Sequence, residues 1–448
     1  MVFEDINKKL SKKVENNNRI PEESYKKFNV KRGLRNSNGT GVLVGLTEVG
    51  SVQGYHMSDD KKIPIEGELY YRGYNIFDLV KGFQSEGRMG FEEIVYLLLI
   101  GELPTNDDLK EFKKLLSLNR KLPDHFTENM ILKIPSRDIM NKLQRSILVL
   151  YSHDDDPDNI SVENLLSQSI KLISWFPTII SYGYQAKAHY FDNKSLFIHQ
   201  PDDALSTAEN ILRLSRADSS YSKTEAETLD LLLVIHAEHG GGNNSAFATH
   251  VVSSSGTDTY SAISAAVGSL KGPKHGGANL KVCQMIEDIK HNCLDWTNRE
   301  LLKEYMIKIM KKEAFDKQGL IYGMGHAVYT LTDPRAVLLK TKAFELANEK
   351  NSLEEYNLYT NIESLTKEIF KELKGVDAVI AANVDLYSGF VYERLGIPCE
   401  LYTPLFATAR IAGWCAHRIE QVVSDPKIIR PAYKSVKEGL SYLGINER

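Results

Sequence analysis

Along most of the chain, apolar residues recur at intervals of three and four, the spacing of amphipathic helices. "FEEIVYLLLI" predicts a helix that stops at Gly101. After a loop containing Pro104, a second helix is capped by Thr105, with Asp108 in the capping-box position. Residues 140–153 read as another helix, and the turn "HDDDPDNIS" leads into the long helical run "VENLLSQSIKLISWFPTIISYGYQAKA". Similar patterns fill 205–215, 225–238, 258–270, 279–290, 299–312, 335–349 and 361–373. Alternating, Val- and Tyr-rich stretches occur only early, at 39–55 and 67–74, and predict short hairpins. Few strand pairs are credible after residue 80, so the expected class is mainly α with a few short N-terminal strands. No period of 20–50 residues repeats, which excludes a solenoid.

Two Gly/Pro clusters interrupt the helical pattern, "KGPKHGGAN" at 271–279 and "YSGFVYERLGIP" at 387–398. They suggest a large domain from 1–276 and 391–448, with an N-terminal arm over 1–38. Residues 277–390 would form a smaller inserted domain, hinged at both ends and able to close over a substrate.

With 448 residues the chain can bury one large or two medium cores. A net charge of −4 gives no reason to expect nucleic acid or an anionic membrane as a partner. The lysine-rich stretches at 8–13 and 26–35 are interleaved with Glu4, Asp5, Glu15, Glu22 and Glu23, so they read as a solvated arm, helical or irregular, rather than a targeting segment. No apolar run reaches the roughly 20 residues of a membrane span. The four cysteines form no C-x-x-C pair and suggest buried or free thiols in a reducing compartment, which points to the cytoplasm.

Several stretches carry chemistry. In "HAEHGGGNNS", His236 and His239 share one helix face. The spacing is not that of an H-E-x-x-H zinc helix and no third ligand is evident, so a ligand-facing helix end or a core histidine competes with a metal site. His275, in "KGPKHGGAN", sits just before a helix, whose positive end disfavours imidazolium and keeps the ring a neutral donor, unless it only caps its own turn. In "GMGHAVYTLTDPR", the glycines would bring backbone close to a ligand beside His326. Asp333 and Pro334 start a helix, and Arg335 in its first turn is misplaced for a cation unless it meets an anion. Asp385 interrupts an apolar segment from Val376 to Val391; desolvation would strengthen it as a base, or it would cap a helix over 387–395. Arg410, in an apolar helix face, and Arg430, in a Pro-flanked tail, could fork onto carboxylates. Together these residues point to acid/base work on an anionic carbonyl compound, and the absence of a P-loop or Rossmann fingerprint weakens kinase and dehydrogenase readings.

The ordered set "YRGYNI", "HAEHGGGN", "GPKHGGAN", "GMGHAVYTLTDPR", "NVDLYSG" and "ARIAGWCAH" resembles the citrate synthase family from about residue 40 to the C-terminus. The resemblance implies a two-domain, almost wholly helical enzyme that works as a homodimer or a dimer-based hexamer. It implies that Asp385 takes a proton from the methyl group of acetyl-CoA, that His275 hydrogen-bonds the thioester carbonyl, and that His326 protonates or polarises the ketone of oxaloacetate. His239, Arg335 and Arg410 are the implied oxaloacetate ligands, with Arg430 supplied from the neighbouring subunit. Many members carry Arg or Lys where Thr330 stands. No metal or redox cofactor is implied; coenzyme A arrives as the substrate thioester. A 2-methylcitrate synthase using propionyl-CoA would share all these motifs. From other classes, a metal-dependent hydrolase using His236 and His239, or a helical scaffold without activity, compete with these readings.

Overall fold

A computed structural model describes residues 2–59, 61–375, 379–425, 427–437 and 439–447. Two compact units are present, one of residues 46–428 and one of residues 1–45 with 429–448. Among the described residues there are seventeen α-helices and one three-stranded sheet, so the chain is mainly α, as the periodicity predicts.

In the larger unit the sheet comes first. Strands β1 (Gly50–Ser58), β2 (Lys61–Tyr71) and β3 (Tyr74–Asn75) are antiparallel in that order, with an irregularity in β1 between Gln53 and Tyr55. Of the predicted stretches 39–55 and 67–74, residues 39–49 form no strand, while β1 begins at Gly50 and runs on through polar residues to Ser58, and β2 and β3 cover most of 67–74. Gly54 and Gly67 let the hairpin lie directly on the backbone at Val328 and Thr332, where any side chain would collide. Gly67 N–H also donates to Thr332 Oγ1 at 3.0 Å. The hairpin therefore braces the loop that carries His326.

The helices start where local chemistry says they should. Capping boxes form at Thr105/Asp108, Ser206/Glu209 and Ser222/Glu225. The helix Phe91–Ile100 stops at Gly101, which takes φ 99°. The core centres on two long helices, Val162–Asp192 and Tyr402–Ser424, which bury Phe176, Ile179, Ile411 and Trp414 completely. Each such side chain contributes about 1.5–3 kcal/mol of burial. The helix expected at 361–373 begins earlier, at Leu353. Its first turns are rich in Tyr, Asn and Thr, weak helix formers, and are held by burial of Leu358, Tyr359 and Ile362. The two Gly/Pro breaks fall between helices, at 272–277 and 395–398, while 387–394 is helical.

The smaller unit holds helices Val2–Asn17 and Glu22–Lys27, an Arg32–Glu22 ion pair, and Lys434 over the Phe28 ring at 5.1 Å. All four cysteines are free thiols; Cys293 and Cys415 are buried and Cys399 is exposed. Among the described residues no helix is long and apolar enough to cross a membrane.

Candidate active site

The helix Lys223–His236 runs out into the turn 237–243, where Gly240 takes φ 81° and Asn243 caps the next helix, Asn244–Ser253. His236 packs edge-on against Phe406, and its Nδ1 lies 2.8 Å from Leu232 O. His239 lies within this turn, with its Nε2 buried and unpartnered. Burial, then the Arg335 charge, holds His239 well below the usual imidazole range, so the ring is neutral.

Arg410 projects from the helix Tyr402–Ser424. Its Nε donates to the His236 carbonyl at 2.5 Å and its guanidinium lies 4.6 Å above the Phe406 ring. Nη1 and Nη2 are buried without any partner. A fork of unpaired donors is a place for a carboxylate. Burial lowers Arg410 to about 10. Arg335 is satisfied differently. Asp333 caps the helix Pro334–Glu349 by accepting from Arg335 N–H, and also accepts from Nε at 3.0 Å and Nη2 at 2.7 Å. The cation's place in a first turn is thus offset by its own cap residue, a reason that the sequence reading did not assign.

The glycines beside His326 do something other than expected. Gly323 and Gly325 take φ 84° and 88° and fold the loop against the segment 381–386, not toward open space. A side chain at Gly323 would come within 2.9 Å of Leu386 Cα, and Gly325 N–H donates to Ala381 O at 2.7 Å. The loop and the residues around Asp385 are therefore positioned as one piece. His326 Nδ1 accepts from Val328 N–H and Tyr329 N–H, both at 3.1 Å. With burial holding the ring down to about 4, the one ring proton sits on Nε2, which is left free to donate.

Asp385 is not the cap of its helix. Asn383 accepts Asp385 N–H at 3.0 Å and caps Val384–Arg394, leaving the Asp385 carboxylate to the cavity. Burial raises it to about 6, against the pull of Arg335 and Arg410. The start of the apolar run that frames it, residues 376–378, lies outside the described residues. His275 is lowered to about 4 by burial first and Arg410 second, so the ring is neutral. Its Nε2 lies 3.1 Å from Ser245 Oγ. The single Ser245 hydroxyl proton is also directed at Asn243 Oδ1, 2.9 Å away, while Trp414 Nε1 donates to Ser245 Oγ. Gly276 permits this turn by lying against Leu270 O and Thr403.

His239, His275, His326, Arg335, Asp385 and Arg410 line one cavity of about 120 Å³. Six of the seven predicted site residues therefore meet. Arg430 belongs to the smaller unit, where it is exposed and outside regular secondary structure. The sequence reading missed Asn243, Asn279 and Phe406, which also face the cavity. Phe406 was detectable: it stands four residues before Arg410, on the same helix face. His236 and His239 have no third metal-capable side chain within reach among the described residues.

A family model described as the citrate synthase C-terminal domain matches residues 37–432. The chain belongs to the citrate synthase family. As a member it is a condensing acyltransferase, and the hydrolase and scaffold readings give way. The citrate synthase of Haloferax volcanii is 32% identical over 425 residues, 94% of this chain and 99% of the relative. The 2-methylcitrate synthase 1 of Corynebacterium glutamicum is 31% identical over 392 residues, 86% and 93% of the two chains. The solved citrate synthase of Thermoplasma acidophilum, in a ternary complex with carboxymethyl coenzyme A and oxaloacetate, superposes with a TM-score of 0.74 at 27% identity, covering 94% of this chain and 99% of that one.

Proposed function

We propose that this member of the citrate synthase family condenses acetyl-CoA with oxaloacetate and hydrolyses the resulting citryl-CoA to citrate and CoA. The observation that carries the reading is a single cavity holding a carboxylate, four neutral imidazoles and two buried guanidiniums, one with an unpaired fork. The Arg410 fork, Arg335 and His239 would hold the oxaloacetate carboxylates. Asp385 would accept a proton from the acetyl methyl carbon while His275 donates a hydrogen bond to the thioester oxygen as it becomes an enol. The enol carbon would then bond to the ketone carbon of oxaloacetate, and His326 Nε2–H would supply the proton for the new hydroxyl. Water would cleave the thioester, which makes the sequence irreversible. No metal or redox group enters these steps. A cytoplasmic enzyme of the tricarboxylic acid cycle is the reading that this chemistry and the four free thiols support.

The second reading, a 2-methylcitrate synthase, is favoured by the relative of that name. One methylene is worth about 1–3 kcal/mol in a pocket. With oxaloacetate present, free CoA thiol should be released with a kcat/KM about 10–200-fold higher for acetyl-CoA than for propionyl-CoA. A reversed preference would assign the second reading, and no release with either thioester would sink both.

We also propose that the segment between the 272–277 and 395–398 breaks moves as a small domain against the rest; its expected end at 390 falls inside the helix Val384–Arg394 and so shifts to the break after Arg394. The enzyme would work as a homodimer in which Arg430 serves the neighbouring subunit's site; its exposure on the terminal unit supports this. Arg430→Ala should raise the oxaloacetate KM at least tenfold. Heterodimers of Arg430→Ala with Asp385→Asn should then contain one intact site of two and recover about half of the parent turnover. Purified heterodimers as inactive as either variant would place Arg430 in its own subunit's site.

A further inference from the structure

We propose that His250, His417 and Glu420 form a binding site for a first-row divalent cation of the zinc type, separate from the reaction cavity. His250 lies on the helix Asn244–Ser253, and His417 and Glu420 lie one turn apart on Tyr402–Ser424. His250 Nε2 stands 3.2 Å from His417 Nδ1, and His417 Nδ1 stands 3.8 Å from Glu420 Oε2. The three ligand atoms all lie within 4.8 Å of one another. Around a tetrahedral ion with bonds of about 2.0–2.1 Å, donor atoms sit about 3.3–3.4 Å apart, so two edges of the triangle are already near that value.

The outward atom of every ligand is held by a partner that is not itself a ligand. His250 Nδ1 faces Gln421 Oε1 at 2.8 Å, and His417 Nε2 faces Glu238 Oε1 at 3.0 Å. Glu420 Oε1 accepts Glu48 N–H at 2.7 Å. These contacts fix both imidazole protons on the outer nitrogens and aim the inner lone pairs at one point, as metal-ligating histidines require. Glu420 Oε2, the third inner atom, is buried with no hydrogen-bond partner. Thr47 Oγ1, 3.5 Å from His417 Nδ1, lies near enough to complete or water-bridge the set. Two imidazoles and one carboxylate suit Zn(II), Co(II) or Ni(II) and not Ca(II) or Mg(II), which prefer all-oxygen cages.

The bound ion would tie the helix carrying Arg410 to the one that follows the His239 turn.

The test uses the full-length protein, stripped by chelator and dialysed against Zn(II), with His250→Gln and Glu420→Gln beside it. The parent should retain one equivalent of zinc. Each variant should bind at least tenfold more weakly. Co(II) added to the parent alone should give the visible absorption of a four-coordinate ion, a reading that does not depend on the variants folding. Zinc retained equally by parent and variants, or a parent that retains none and gives no cobalt bands, would overturn the site and leave a hydrogen-bonded network.

Discussion

An Asp385→Asn variant is expected to keep its oxaloacetate affinity, turn over about 10²–10⁴-fold more slowly and unfold at a higher temperature than the parent. The two effects share one cause. Burial lifts the Asp385 carboxyl from 3.8 to about 6, so the ionised form is less stable in the folded protein than in the unfolded chain. That deficit is absent below about pH 4 and complete above pH 6, where it amounts to at most about 3 kcal/mol. The figure is an upper bound because the side chain keeps some exposure to the cavity. Asparagine has the same shape and no charge, so it removes the deficit together with the proton acceptor. Its backbone N–H still reaches the Asn383 cap. Calorimetric melting at pH 8 and single-turnover kinetics check the pair. The parent's kcat should also fall as pH drops through 6, because protonation fills the accepting lone pair. Turnover close to the parent would remove Asp385 from the mechanism.

Arg410→Leu and Arg335→Leu should both weaken oxaloacetate binding, by about 30-fold or more, yet only Arg335→Leu should cost stability. Arg410 has no acidic partner within hydrogen-bonding reach, its outer nitrogens are unpaired, and burial holds it down to about 10. Below that pH its charge is a liability to the fold, so leucine should leave the melting temperature unchanged or raise it. Arg335 neutralises Asp333, whose side chain is fully buried. Leucine there strands a carboxylate in the core, a loss of about 3–5 kcal/mol. Arg335→Leu with Asp333→Asn should recover most of that stability without recovering affinity. Equal destabilisation by both single variants would contradict the unpaired state of Arg410.

Much of this was legible in the chain. Thr105 and Asp108 form the predicted capping box, Asp333 and Pro334 open the predicted helix, and six of the seven nominated residues share one cavity. Each of these signals is local or has helical spacing. What stayed hidden depends on packing between distant segments. Gly323 and Gly325 read as ligand-facing because nothing in the sequence says that residues 381–386 lie against them. Arg335 read as unpaired because a bidentate contact to a residue two positions earlier has no spacing signature. The helix 353–374 was cut short because burial overrides the weak propensity of its first turns.

The brace of the β1–β2 hairpin on the His326 loop has a consequence for synthesis. Gly67 meets Thr332 across 265 residues, and Arg410 meets the His236 carbonyl across 174. At about 5–20 residues per second the hairpin emerges many seconds before the loop that it supports, and the helix carrying Arg410 comes later still. Until then the nascent chain carries His239, Arg335 and Asp385 without the fork that would hold a dicarboxylate. A ribosome-bound intermediate would therefore lack both one of the two central core helices and any affinity for substrate, and oxaloacetate could stabilise only chains whose translation is nearly finished.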